Sequence, residues 1–192
     1  MELLVAHFKR FGLEVHTGSV ATHSESKTKA MFFPGASKSY TKELLEEKTR
    51  DIQVHEDKYI PFTKEFTYRY LGSKVTPDLR DNAEISRRIQ LARAAFATLK
   101  TNVLANRKML IKTKTQVYES CVLSQLLFGC ESWSCSEETF NDLEIFHNDC
   151  MRGMLNHTRL SAHYFHGLRT EDLHQKCKIP PIRSKIELQR AR

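Results

Sequence analysis

Three sets of side chains in this sequence have the right types for chemistry, and each implies a different kind of site. The first is the carboxylates. Nucleotidyl transfer by two metal ions needs at least two Asp or Glu converging at one place. Asp78 and Asp81 lie close together in "PDLRD", but at a helix start, where capping accounts for them. Asp142 and Glu144 fall on a helix surface, and "KELLEEKT" reads as a solvated helix face. No catalytic acid pair emerges. The second set is thiols and imidazoles. His147 and Cys150 sit one helical turn apart, four residues separate Cys130 from Cys135, and His157, His163, His166 and His174 follow. A structural zinc site wants paired ligands at CxxC or HxxxH spacing, and no second pair stands at such a spacing. Buried cysteines and a helix-face histidine are expected, with no metal ligands. The sequence has no G-x-S-x-G, HExxH, P-loop or GxGxxG.

The third set is cationic. Lys27 and Lys29 flank Thr28. Arg69 and Lys74 alternate with aromatics in "FTYRYLGSKV". Arg87, Arg88, Arg93, Lys100, Arg107 and Lys108 follow one long helical pattern, with Arg93, Lys100 and Arg107 recurring every seven residues. Such side chains hold phosphates and give affinity without reading a base sequence. Two plain alternatives stand beside this one: a solvated basic helix face, and a Tyr68/Tyr70 pair that packs in a core instead of stacking on bases.

The elements that must position these groups follow from periodicity. Leu3, Leu4, His7, Phe8 and Phe11 predict a helix over 2–11, stopped by Gly12. Leu13 to His16 alternates as a short strand, "TGSVATHSES" reads as a polar flexible stretch, and Lys27 to Phe33 reads as a second strand closed by Pro34-Gly35. "TKELLEEKTR" predicts a surface helix capped by Thr41, and "DIQV" a strand. Residues 66–76 predict a half-buried aromatic hairpin. Asp81 and Glu84 resemble a capping box before a long amphipathic helix carrying Ile85, Ile89, Ala92, Phe96, Leu99 and Val103. A strongly apolar helix over 113–128 uses Val117, Tyr118, Cys121, Val122, Leu126 and Leu127, with Gly129 past its end. Ser134 and Glu137 read as a second capping box, before a helix whose face holds Phe140, Leu143, His147, Cys150, Met151 and Met154. The tail predicts a helix over 171–176, a break at Pro180-Pro181 and one more helical start.

With 192 residues, 40% of them hydrophobic and 28% charged, the chain lies in the globular range and is long enough for a real core. Its net charge of +7 suits a polyanionic partner. Five cysteines without CxxC spacing favour reduced thiols in a cytosolic or nuclear setting. No apolar run is long enough for a membrane span. Both ends read as cut, which leads us to expect a piece of a longer chain.

Taken in order, "FGLEVHTG…SKTKAMFFP", "FTYRYLGSKVTPD", "EISRRIQLARAAFATLK", "TKTQVYESCVLSQLLFGCESW" and "LEIFHNDCMRGML" resemble the reverse transcriptase of non-LTR (LINE-type) retrotransposons, downstream of its catalytic motif. The resemblance covers roughly 11–155. It implies an α+β fold, with a palm-end helix and antiparallel strands followed by a thumb-like helical bundle. The implied divisions are 1–77 for the palm end with the primer-grip hairpin, 78–156 for the thumb-like bundle, and 157–192 for a partly helical tail. In the family, a Tyr-x-Asp-Asp turn holds two Mg²⁺ ions; no such turn occurs here. The resemblance therefore implies the grip of an RNA-directed DNA polymerase without its metal site, inactive alone. Mg²⁺ would belong to the full-length parent and no cofactor to this chain. Lys27 matches the lysine beside the incoming nucleotide, with Lys29 the second match. Tyr68, Tyr70, Leu71 and Gly72 match the primer grip, and the helices from Asp81 onward match the thumb. The implied partners are an RNA template, a DNA primer and the parent's palm and fingers, with no membrane. Two rival readings are a stand-alone nucleic-acid-binding module and a helical protein-interaction remnant.

Overall fold

The computed structural model describes residues 2–33, 51–55, 57–63, 68–157 and 169–191. The chain divides into two compact units, Met1–Arg80 and Asp81–Arg192. Helices and two small antiparallel sheets together make an α+β protein.

The first unit opens with α1 (Glu2–Arg10), closed by Gly12 at φ 71°. Strands β1 (Gly18–Ser19), β3 (Lys58–Ile60) and β2 (Ile52–His55) form one antiparallel sheet in the order β1-β3-β2. Gly18 lies opposite Tyr59, and a Cβ there would come within 2.8 Å of the tyrosine ring. A side chain at 18 would displace the ring that covers this edge. The expected strand "DIQV" is present as part of β2. The expected strands over 13–16 and 27–33 are not. The backbone at 13–17 makes no ladder: His16 O accepts from Ser26 Oγ at 2.7 Å, and His16 Nδ1 accepts from Lys27 N at 3.1 Å. Local side-chain bonds satisfy the groups that a neighbouring strand would otherwise take. Within 27–33, Ala30 alone pairs, in a single parallel bridge to Phe62. The polar stretch expected to be flexible instead makes a tight turn, with Ser19 and Ser24 exchanging backbone bonds of 3.0 and 3.2 Å. The helix expected on Thr41 lies outside the described residues.

The expected hairpin forms. Strand β4 (Tyr68–Tyr70) pairs with β5 (Ser73–Val75), placing Tyr68 opposite Val75, Arg69 opposite Lys74 and Tyr70 opposite Ser73. It is more exposed than the alternation suggests: Tyr70 is 61% exposed.

The described residues of the second unit form helices and no strand. Helix α2 (Asn82–Leu99) continues into π turns over Lys100–Leu104. Helix α3 (Ile111–Val117), a π segment (Tyr118–Leu123) and the short α4 (Ser124–Leu126) make one rod over 111–126. Helix α5 (Glu137–Met154), α6 (Thr170–Cys177) and α7 (Ile182–Arg190) complete the unit. The predicted helical stripes form the core. Ile85, Ala92, Tyr118, Val122, Leu126, Leu143, Cys150, Met151 and Met154 are buried with Leu173, Ile179, Ile182 and Ile186 from the tail. Cys121 departs from this and is exposed.

Both predicted capping boxes are corrected. Asp81 occupies the α2 N-cap but makes no side-chain cap, because its Oδ2 is taken by Ser134 N and Ser134 Oγ. Glu84 is instead buried against Arg88 and Arg87. Helix α5 is capped by Ser136, whose Oγ accepts from Thr139 N at 3.3 Å. Ser134 is thus engaged with α2 while Ser136 does the capping. Gly129 does take the left-handed conformation, at φ 77°, two residues after Leu127 caps α4.

A polar chain threads this core. His147 Nε2 faces the Pro180 carbonyl at 3.3 Å, which can only accept, so Nε2 carries the proton. Its Nδ1 then accepts from the Tyr118 hydroxyl at 2.8 Å. Beside them, Lys114 Nζ donates to Met154 O at 2.8 Å, and Thr115 Oγ1 donates to Cys177 O at 3.0 Å. A lysine donor on the last carbonyls of a helix also complements its dipole. Helices α2 and α5 approach closely where Phe96 rests on Gly153, whose Cβ position is 3.0 Å from Phe96 Cζ.

Two outcomes follow. Gly153→Val should destabilise the protein by about 1–3 kcal/mol through overpacking against Phe96, read as a lower urea midpoint; an unchanged midpoint would show that the two helices do not depend on this contact. The second concerns pH. Burial holds His147 down to about 4 from an ordinary 6.5. The unfolded chain therefore binds the proton first as pH falls. The stability this site contributes is full above about pH 6.5 and drains away as pH drops toward about 4, by about 3 kcal/mol in all. Urea melts across that window should show the loss, and His147→Gln should flatten it; an equally steep loss in the variant would refute the assignment.

Candidate nucleic-acid interface

The cationic residues fall into groups with different fates. In the first unit, Lys27 and Lys29 are exposed on the segment that His16 and Ser26 tie down, and Lys27 N is one of the bonded groups. They sit on a loop pinned at its base, not on a strand edge.

The hairpin brings together six of the anticipated residues. Arg69 and Lys74 are exposed and directly opposite each other across the strand pair. Tyr68 and Tyr70 point to the other face. The two-residue connection, Leu71 and Gly72, has φ 46° and 88°. Positive φ at both positions is the pattern of a type I′ turn, whose twist matches the strands and whose usual first residue is Asn, Asp or Gly. Leucine is a costly choice in the left-handed region, by ~1 kcal/mol. Leu71 is also 80% exposed, so no packing offsets that cost.

In the second unit, Arg87 and Arg88 are not exposed phosphate grips. Arg87 Nη1 lies 3.3 Å from Glu84 Oε1, while Arg88 is buried, paired with Glu84 and stacked 4.3 Å from the Phe128 ring centre. Arg88 ties α2 to the end of the 111–126 rod through Phe128, while Arg87 pairs within α2. Arg93 and Lys100 line a groove of about 560 Å³ between α2 and α5, with Phe96, Ile145 and Phe146 also lining it and Asp142 and Asp149 bordering it from α5. Those carboxylates oppose a phosphate backbone lying in the groove. The seven-residue repeat does not reach Arg107, because the π turns at 100–104 change the residue spacing and the helix ends at Ala105. Arg107 and Lys108 instead stand on the corner between α2 and α3.

That corner holds residues the sequence reading passed over. Lys112 joins Lys100, Arg107 and Lys108 as an exposed cation. Met109 and Leu110 between them are 38% and 76% exposed. A sequence signal for it exists: the 34 residues from Ile85 to Tyr118 contain eight lysines and arginines and no acid. The second unit as a whole carries 17 lysines and arginines against 12 acids.

Among the described residues no three His, Cys, Asp or Glu converge on a common point. All five cysteines are free, and burial raises the thiols of Cys130 and Cys177 to about 11 and that of Cys150 to about 12, leaving them protonated and inert. Among the described residues no helix is long and apolar enough to cross a membrane.

Relieving the turn at position 71 tests whether its leucine serves folding. Leu71→Asn should stabilise the first unit by up to ~1 kcal/mol, measured by hydrogen exchange of the hairpin amides; faster exchange would mean that Leu71 packs on something. Comparison of the chain with protein-family models, with curated proteins and with solved structures gives no match.

Proposed function

We propose that this chain is the nucleic-acid grip of a retrotransposon-type reverse transcriptase, holding an RNA template and a DNA primer without performing the polymerisation itself. The observation that carries the reading is the hairpin tip. Two cations stand in register on one face, two tyrosines lie on the other, and an exposed leucine is held in a strained turn at the end. The strained turn costs folding stability, and a primer strand complements each of the three features. Phosphates neutralise Arg69 and Lys74, and base or sugar faces cover Tyr70 and Leu71. The ordered resemblance to the end of the palm, the primer grip and the thumb names the same hairpin. Under this reading Lys27, with Lys29 second, lies toward an incoming nucleotide. These 192 residues contain no Tyr-x-Asp-Asp to hold Mg²⁺, and Mg²⁺-dependent dNTP incorporation by the pure chain would contradict the reading.

A protein-interaction role has one observation in its favour, the groove floored by Phe96, Ile145 and Phe146. Salt separates the two readings. Phosphate contacts weaken steeply as salt rises, whereas apolar docking does not.

The test is binding of the whole chain to a labelled RNA–DNA primer–template across a salt series. The proposal predicts salt-sensitive binding, with the logarithmic salt slope falling by roughly 2 in Arg69→Ala/Lys74→Ala. Equal affinity and slope in the double variant would remove the hairpin from the interface.

A further inference from the structure

We propose that the corner joining α2 to α3 is a second contact for duplex nucleic acid, with Leu110 as an apolar wedge and Lys100, Arg107, Lys108 and Lys112 seating phosphates around it. The inference rests on the nucleic-acid reading above and adds to it a place and a mode of contact.

The apolar tip comes first. Leu110 is 76% exposed and occupies the N-cap position of α3, with φ −65° and ψ 140° and no side-chain cap. Serine, threonine, aspartate or asparagine there would satisfy an amide that leucine leaves unanswered. A residue that neither packs nor caps has no role in the folded chain alone.

The corner is also ordered. Asn106 Oδ1 accepts from Lys108 N at 2.9 Å, Asn106 Nδ2 donates to Asn102 O at 3.2 Å, and Met109 N donates to Asn106 O at 3.3 Å. Ala105 N closes the π turns onto Lys100 O at 2.7 Å. The leucine is therefore held out on a fixed turn, which lowers the entropy cost of inserting it.

Charge supplies the third observation. None of Lys100, Arg107, Lys108 and Lys112 is in an ion pair among the described residues, and no acid lies between Glu84 and Glu119. A phosphate backbone complements such a corner. An anionic lipid surface shares the charge, but lipid binding grows with buried apolar area, and two side chains offer little of it. One apolar side chain among cations is the arrangement by which minor-groove proteins open a base step and bend a duplex.

The test uses the whole chain, a duplex labelled at both ends, and the variants Leu110→Ser and Arg107→Ala/Lys108→Ala. Leu110→Ser should melt at the same or a higher temperature, since serine caps the helix. It should bind roughly tenfold more weakly with an unchanged salt slope, and the end-to-end energy transfer that reports bending should fall back toward that of free duplex. The double variant should lose roughly 2 from the salt slope. If the unaltered chain binds and Leu110→Ser binds and bends as well as it does, the corner is not a contact, and the hairpin reading stands. If the unaltered chain binds no duplex, both fail. Binding to vesicles of anionic phospholipid in place of duplex would assign the corner to a membrane and overturn the proposal.

Discussion

The bundle depends on one buried hydrogen-bond chain, Tyr118 Oη to His147 Nδ1 and His147 Nε2 to Pro180 O. It joins the 111–126 rod, α5 and the turn between α6 and α7, with Tyr118 and His147 fully buried and the Pro180 end at the surface. An apolar core can slide by a turn and still bury similar area. A polar chain of this kind cannot, because each unmade bond costs about 1–3 kcal/mol at a buried site. Tyr118 and His147 therefore fix the register. With that register set, Lys114 reaches the end of α5 and Thr115 the end of α6. Both bonds lie in α3, the helix that starts at the corner. The position of Leu110 and its cations is thus a consequence of bonds made one to two turns further along the same helix.

The outer surface follows a different logic. The hairpin and the corner leave local rules unmet: a leucine in a left-handed turn and a leucine where a cap belongs. Departures from local consistency of this kind concentrate where a protein contacts something else. The two sites belong to separate units. They share one chemistry, an exposed leucine surrounded by positive charge.

The sequence disclosed the helices well, because period 3.6 survives in the residues that face a core. Ile85, Ala92, Leu143, Cys150, Met151 and Met154 were all placed correctly by spacing alone. It disclosed less wherever a side chain had a choice of partners. Asp81 and Ser134 each looked like a helix cap, and they bond to each other across 53 residues. Glu84 looked like part of a capping box, and it neutralises Arg87 and Arg88, which removed two of the anticipated phosphate grips. Strand alternation failed over 13–16 and 27–33, since a strand exists only where a neighbour supplies the ladder. The corner was legible as a run without acids. Its exposed leucine was not, because nothing in sequence distinguishes a Leu110 that faces water from one that packs.

The measurement that bears most directly on the account is hydrogen exchange of the whole chain with and without an RNA–DNA primer–template. The account predicts new protection at 68–75 and at 100–112, with α5 unchanged. Protection of α5 over 142–150, or none at all with duplex bound, would contradict it.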